Sequence, residues 1–502
     1  MNIKQAKQEI TNTLRAYLAK DGQNNYLIPV NRQRPVLLMG PPGIGKTQIM
    51  EQIATETGVG LVAYTITHHT RQSAIGLPFI EKRTYGNKDY SVTEYTMSEI
   101  LASVYTIMEN TGIREGILFL DEINCVSETL APMMLQFLQN KTFGNQRLPE
   151  GWIIVTAGNP PEYNKSVRDF DVVTLDRVKR IDVQEDFTVW KEYAYRQSLH
   201  GAVISYLDIK KENFYRIETS VDGVEFATAR GWEDLSELLL VYEKLGLKLN
   251  REVVGQYIQL PRIARDFAGY LDLYYKYQKT YHVEEILEGK WHAITVSELR
   301  AAPFDEKLSV MGLLLSRLSE SAGQAREQDA LTTLLHADLL DFKARLSVGQ
   351  PAVGILEETE QHRRQAMTRA AEAGQLDKET RRRAQQEMAK LNGYREKLIA
   401  ENVADADAMV AVRDWFQAEV DARKNAGVLT GKHFDYAFSY LEQTFGDSQE
   451  LVLFVTEITA GYNTSWFVEH FGCDAYFHHN KELLFDDTRR RIQQDIIAAQ
   501  RE

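Results

Sequence analysis

Cysteine is nearly absent from this sequence. Only Cys125 and Cys473 occur in 502 residues, which excludes a disulfide framework and any zinc spacing built on cysteine pairs. Both are read as core residues of a protein from a reducing compartment. Long apolar runs are missing as well. No stretch reaches the roughly 18 residues that a membrane-crossing helix needs, and Met1 to Lys20 reads as an amphipathic helix rather than a signal peptide. A cytoplasmic protein with no membrane partner is the expectation. Basic charge is in deficit, with 58 Lys and Arg against 71 Asp and Glu and a net charge of −13. A general nucleic-acid binder has a basic footprint, so this balance argues against nucleic acid as a partner and leaves room only for a local basic groove.

What remains is an ordinary globular composition, 44% hydrophobic and 26% charged, in a chain longer than one core usually supports. From Pro35 to about Gln184, short apolar runs alternate with helical patterns, the signature of a parallel sheet covered on both faces. The strands are expected at Val36–Met39, Leu61–Thr67, Ile117–Leu120, Trp152–Ala157 and Val178–Val183. From Phe187 to about Arg317 the pattern is mostly helical, with one short hairpin around Asp222 and Gly223. After Ser319 the chain grows rich in Ala, Glu, Gln and Arg, and two long charged helices parted near Gly374 are expected, the second capped by Asp377. Its residues Ala384, Met388, Leu391, Tyr394 and Leu398 form one apolar stripe that needs a partner surface. The domain division expected is 1–186, an α/β nucleotide-binding core, 187–320, a helical lid, and 321–502, an α-helical domain.

The chemistry is concentrated in two motifs. Gly40-Pro41-Pro42-Gly43-Ile44-Gly45-Lys46-Thr47 matches G-x-x-x-x-G-K-[ST] between an apolar strand and a helical run. Glycines let the backbone curl so that N–H groups and the helix N-terminus face a phosphate. Lys46 supplies a point charge for the β- and γ-phosphates, and the Thr47 hydroxyl suits magnesium. ATP and Mg2+ are therefore the expected ligands. The second motif lies 75 residues beyond Lys46, where Ile117-Leu118-Phe119-Leu120 ends in Asp121 and Glu122. Asp121 is placed to hold the magnesium shell and Glu122 to act as general base on the attacking water.

With both motifs in order, the sequence resembles the AAA+ superfamily, and within it the MoxR branch of the helix-2-insert clade, over about residues 1 to 320. The resemblance implies ATP hydrolysis in a ring, a hexamer by family analogy. It also implies a chaperone-like role in remodelling or maturing a protein partner, in some cases one with a von Willebrand factor type A domain. It assigns Asn159 as sensor 1 and the arginine finger to Arg177, in Leu175-Asp176-Arg177-Val178, or to Arg180. Val178 stands where the family has an aromatic. Ala227-Thr228-Ala229-Arg230-Gly231-Trp232 resembles the sensor 2 segment, with Arg230 reading the γ-phosphate and Ala229 in place of the common proline. Two hairpins are implied, at Arg71 to Met97 and Lys141 to Gly151, with Tyr85, Tyr90, Tyr95, Phe143 and Arg147 as candidate grips on a partner.

Two other readings stay open: a nucleotide-gated scaffold with slow hydrolysis, and a nucleic-acid motor, which the charge disfavours. The segment Gln361–Ala400 is locally basic, ten Lys and Arg against five Asp and Glu, but the interspersed acids read as a solvated, salt-bridged helix pair. The pairs His68-His69 and His478-His479 lack a ligand spacing.

Overall fold

The computed structural model describes residues 1–481 except 69–71, 73, 75, 144, 164–166, 168, 169, 221 and 222. Arg71, His69 and Asp222, named above, lie outside the described residues. The described residues divide into two compact units, Met1–Asp186 with Glu358–Ala389, and Phe187–Glu357 with the described chain from Lys390.

The first unit is built on a five-stranded sheet of order β2-β5-β8-β1-β9. Its members are β1 (Val36–Met39), β2 (Gly60–Thr65), β5 (Gly116–Asp121), β8 (Trp152–Gly158) and β9 (Lys179–Asp182), and every pairing is parallel. Parallel strands need both faces covered, and the side chains alternate between two separate cores. Leu37, Leu118 and Ile154 face one; Val36, Leu38, Phe119 and Val155 face the other. The second core is closed by α1 (Ile3–Leu18) through Ala6, Ile10 and Leu14 and by α2 (Lys46–Thr57) through Ile49, Met50 and Ile53. The first core is closed by the helices Glu99–Thr111 and Ala131–Asn140. Trp152 fills a slot between β2 and β5 that only glycine leaves open. A methyl group on Gly116 would stand 2.6 Å from its ring and one on Gly60 3.0 Å.

Two hairpins leave this sheet. β3 (Pro78–Tyr85) and β4 (Lys88–Tyr95) form an antiparallel ribbon in which all eight β3 residues are exposed. The second is small, β6 (Thr142–Phe143) with β7 (Gln146–Arg147). The sequence pattern offers Phe143 as an exposed grip, but the structure buries it. Its ring stacks on Phe137 at 3.9 Å, because the strand follows directly on the buried face of the helix Ala131–Asn140 and continues it into the core. Arg147 is exposed.

The helices Ala352–Glu372 and Lys378–Ala400 form the expected charged pair, and the Asp377 carboxylate accepts from the Thr380 N–H at 2.7 Å as its cap. Their connecting turn belongs to the first unit. The Leu61 N–H on β2, the terminal strand, donates to the Ala373 carbonyl at 2.9 Å. The Gln375 amide donates to Val59 O at 2.8 Å, and Thr55 Oγ1 donates to Gln375 O at 3.1 Å. Gly374 holds the left-handed conformation at φ 69°, with Leu61 against its α-carbon. The turn thus covers a sheet edge that would otherwise offer unpaired N–H groups.

Among its described residues the second unit is helical apart from the hairpin of β10 (Arg216–Ser220) and β11 (Gly223–Ala227). A division at residue 320 is not found. The helix Phe304–Ser347 runs through that position without a break, and one core joins Trp190 through Ala325 to Phe434 through Tyr476. The helices before residue 320 and those near the C-terminal end of the described chain therefore share a core. The far half of the same helix, through Leu331, Leu335, Leu339 and Phe342, enters a smaller cluster with Leu391, Tyr394 and Leu398, which is the partner surface for the last three residues of the apolar stripe. Among the described residues no helix is long and apolar enough to cross a membrane.

Candidate nucleotide site

The site forms at the carboxyl ends of β1, β5 and β8, where the loops after parallel strands converge. β1 ends at Met39, and the chain turns sharply through Gly40 to Gly45 before entering α2. Gly43 and Gly45 take φ of 74° and 90°, the left-handed region where a side chain costs about 1–2 kcal/mol. A methyl group on Gly40 would meet the Val183 carbonyl at 2.7 Å. The loop is thus drawn tight against the end of β9, with the N-terminus of α2 and its partial positive charge behind it.

Lys46 is 8% exposed. Its Nζ donates to the carbonyls of Gly40 and Pro41 and to Asn159 Oδ1, each at 2.8 Å. These oxygens hold the ammonium at the mouth of the loop, where phosphate oxygens are the natural exchange partners for a point charge. Thr47 Oγ1 donates to Asp121 Oδ2 at 2.8 Å. A hydroxyl and a carboxylate side by side are hard oxygen donors of the kind magnesium takes, so the residues fit that ion. Among the described residues no group of three or more His, Cys, Asp or Glu gathers for a metal.

Glu122 is held in a strained backbone at φ 57°, and non-glycine residues in that region concentrate at functional sites. The turn is fixed on both sides, with the Glu122 N–H donating to Asp121 Oδ1 at 2.9 Å and the Cys125 N–H to Glu122 O at 2.9 Å. Its carboxylate accepts from Thr67 Oγ1 at 2.8 Å. Thr67, just past the end of β2, escaped the sequence reading because a threonine there carries no motif. Cys125 is half-buried, and burial followed by the charges of Glu122 and Asp121 raises its thiol pKa, which disfavours the reactive thiolate.

Residues 35–178 match the family model described as AAA domain (dynein-related subfamily). The chain carries an AAA domain. Nucleotide binding and ATP hydrolysis are the general activity of AAA domains. No curated protein matches the chain. Among solved structures, NtrX from Brucella abortus, crystallised in complex with ADP, is similar at 16% identity with a TM-score of 0.24, over 41% of this chain and 44% of that one. The chain therefore spans less than half of that structure.

Within the AAA domain, Lys46, Thr47, Asp121, Glu122 and Asn159 lie together, linked by the Lys46–Asn159, Thr47–Asp121 and Glu122–Asp121 hydrogen bonds. The two arginines do not join them. Arg177 is exposed and donates to the Gln139 side chain. Arg180, also exposed, lies on β9 opposite Leu37, short of the strand's carboxyl end, with Asp182 as ion partner at 2.9 Å. Val178 between them is buried in the sheet's core, where an aromatic would need more room. Arg230 lies in the second unit, exposed in the first turn of the helix Ala229–Leu245, whose cap is Thr228.

Proposed function

We propose that the chain hydrolyses ATP at this loop with Glu122 as general base, working in an oligomeric ring, and uses the cycle to remodel or mature a protein partner in the manner of the MoxR branch. The observation that supports the reading is the set of paired contacts Lys46–Asn159, Thr47–Asp121 and Thr67–Glu122 at the ends of adjacent strands. ATP entry exchanges the carbonyl partners of Lys46 for phosphate oxygens, while Asn159 stays beside the γ-phosphate. Magnesium, held through Thr47 and Asp121, would supply charge neutralisation at the β- and γ-phosphates. Release of Glu122 by Thr67 frees a carboxylate oxygen to take a proton from water.

An arginine completes such a site by stabilising transition-state charge from a neighbouring subunit. Arg177, bonded to a neutral amide, is the better candidate, because Arg180 would first have to leave Asp182. Arg230 is proposed as sensor 2. The ribbon β3–β4, with Tyr85 and Tyr90 about half exposed, is proposed to grip the partner, for which a protein with a von Willebrand factor type A domain is the family-based candidate. Thr67 bonded to Glu122 also suits a slow, nucleotide-gated scaffold.

The test is Glu122→Gln, with mass measured by light scattering with and without ATP and magnesium. The reading expects nucleotide binding to persist, turnover to fall by about 100-fold or more, and an ATP-dependent ring to accumulate. A monomer with unchanged turnover would overturn both the base and the ring.

A further inference from the structure

Asn124 sits two residues beyond Glu122, in the short 3-10 turn Ile123–Cys125, and is only 3% exposed. A buried asparagine is expensive unless its amide is used. Its Nδ2 donates to the main-chain carbonyl of Asn159 at 2.7 Å, while its Oδ1 is buried with no hydrogen-bond partner among the described residues. That oxygen lies against the α-carbon of Gly158, where any β-carbon would meet it at 2.7 Å. Gly158 has thus surrendered its side chain to let this amide through. The carbonyl it reaches belongs to the residue whose side chain touches Lys46. The next residue, Pro160, has no N–H with which to tie the loop back.

From this geometry we infer that Asn124 is a positioning residue for hydrolysis: it latches the loop carrying Asn159 to the turn carrying Glu122, so that γ-phosphate contact and base move as one piece. The inference rests on the ATPase reading above and deepens it. The role is indirect: Asn124 acts through Asn159. Its loss therefore lowers kcat by about tenfold to 100-fold, the scale on which small misplacements act, and leaves affinity for ADP, which has no γ-phosphate, nearly intact.

The experiment compares wild type, Asn124→Ala, Asn159→Ala and the double variant for kcat and KM with ATP, for binding of a fluorescent ADP, and for thermal midpoint. Asn124→Asp, equal in shape but without the donor, stands beside the alanine variant in case the latter unfolds. The expected result is a folded Asn124 variant with reduced kcat, ADP affinity within about threefold of wild type, and a double variant no slower than Asn159→Ala alone, because residues acting through one another are not additive. Multiplying losses in the double variant, or a kcat within about twofold of wild type, would overturn it. So would both Asn124 variants failing to fold, which would assign the residue to the core. If Asn159→Ala itself turns over ATP normally, the site assignment fails first, and the latch falls with it.

Discussion

Replacing Gly374 with alanine tests whether the helical hairpin is held on the AAA sheet by its turn. Two costs arise and can be separated. The left-handed backbone at φ 69° costs an alanine about 1–2 kcal/mol whether or not the turn is docked. The new methyl group would also stand 3.0 Å from Leu61 O and 3.1 Å from Leu61 Cβ, and β2 is held by β5, so the turn must withdraw by a few tenths of an ångström. That strains the 2.9 Å Leu61–Ala373 bond and the 2.8 Å Gln375–Val59 bond. At about 1 kcal/mol net for each hydrogen bond, docking weakens by roughly 2 kcal/mol, a factor of about 30.

Gly349 provides the control, since it has φ 85° and nothing within 4 Å of its would-be side chain. Gly349→Ala carries the backbone cost alone. Amide hydrogen exchange at Leu61 reads docking directly, because that N–H points out of the sheet to Ala373. The expected outcome is exchange about 30-fold faster in Gly374→Ala and unchanged in Gly349→Ala. A Leu61 rate in Gly374→Ala within about threefold of wild type would refute the role given to the turn.

Thr67→Val should raise basal ATP turnover about fivefold, since an exposed hydrogen bond worth about 1 kcal/mol no longer holds Glu122; a fall in turnover would make Thr67 a helper of the base. Phe143→Ala should cost about 3–5 kcal/mol in denaturant unfolding of the AAA unit, whereas Tyr85→Ala and Tyr90→Ala should stay within about 0.5 kcal/mol and show their effect only in partner-stimulated turnover. The Lys141 ammonium is buried and its Nζ donates to Val30 O; burial, then the Arg147 charge, lowers its pKa to about 8. An unfolded lysine titrates near about 10.4, so between pH 8 and 10.4 the unfolded chain keeps a proton that the native chain has released. Stability from this group is lowest below pH 8 and rises across that window by roughly 3 kcal/mol. Melting from pH 7.5 to 10.5 should show this rise in wild type relative to Lys141→Met, and a constant difference would refute it.

The middle of the sheet was legible because β1, β5 and β8 are buried on both faces. Val36–Met39 is a solid apolar run, and Trp152–Gly158 is buried throughout, so hydrophobicity alone marks them. Lys46, Thr47, Asp121 and Glu122 were legible because phosphate chemistry imposes both residue type and position relative to a strand end. Thr67 and Asn124 were not: each works through a single contact 55 or 35 residues away in sequence, and no pattern announces that. The apparent border at Ser319 misled because composition reports how exposed a segment is. The helix Phe304–Ser347 passes from one core into another there without interruption. Phe143 misled for the opposite reason, since an aromatic beside Gly and Asn in a short turn looks like a tip until the helix before it is seen to carry it inward.

The split of the first unit has a consequence for the order in which the protein is made. The sheet is complete once Asp182 has emerged, yet the turn that covers β2 lies at Ala373 to Gln375, about 200 residues later. At about 5–20 residues per second, synthesis needs roughly 10–40 s to cross that gap. During this time the nascent sheet has all five strands but lacks the cover along β2, and another nascent chain could pair with it there. Spacing between ribosomes on one message, or a chaperone waiting at the exit, would then govern the yield of folded protein more than the final stability of the hairpin does.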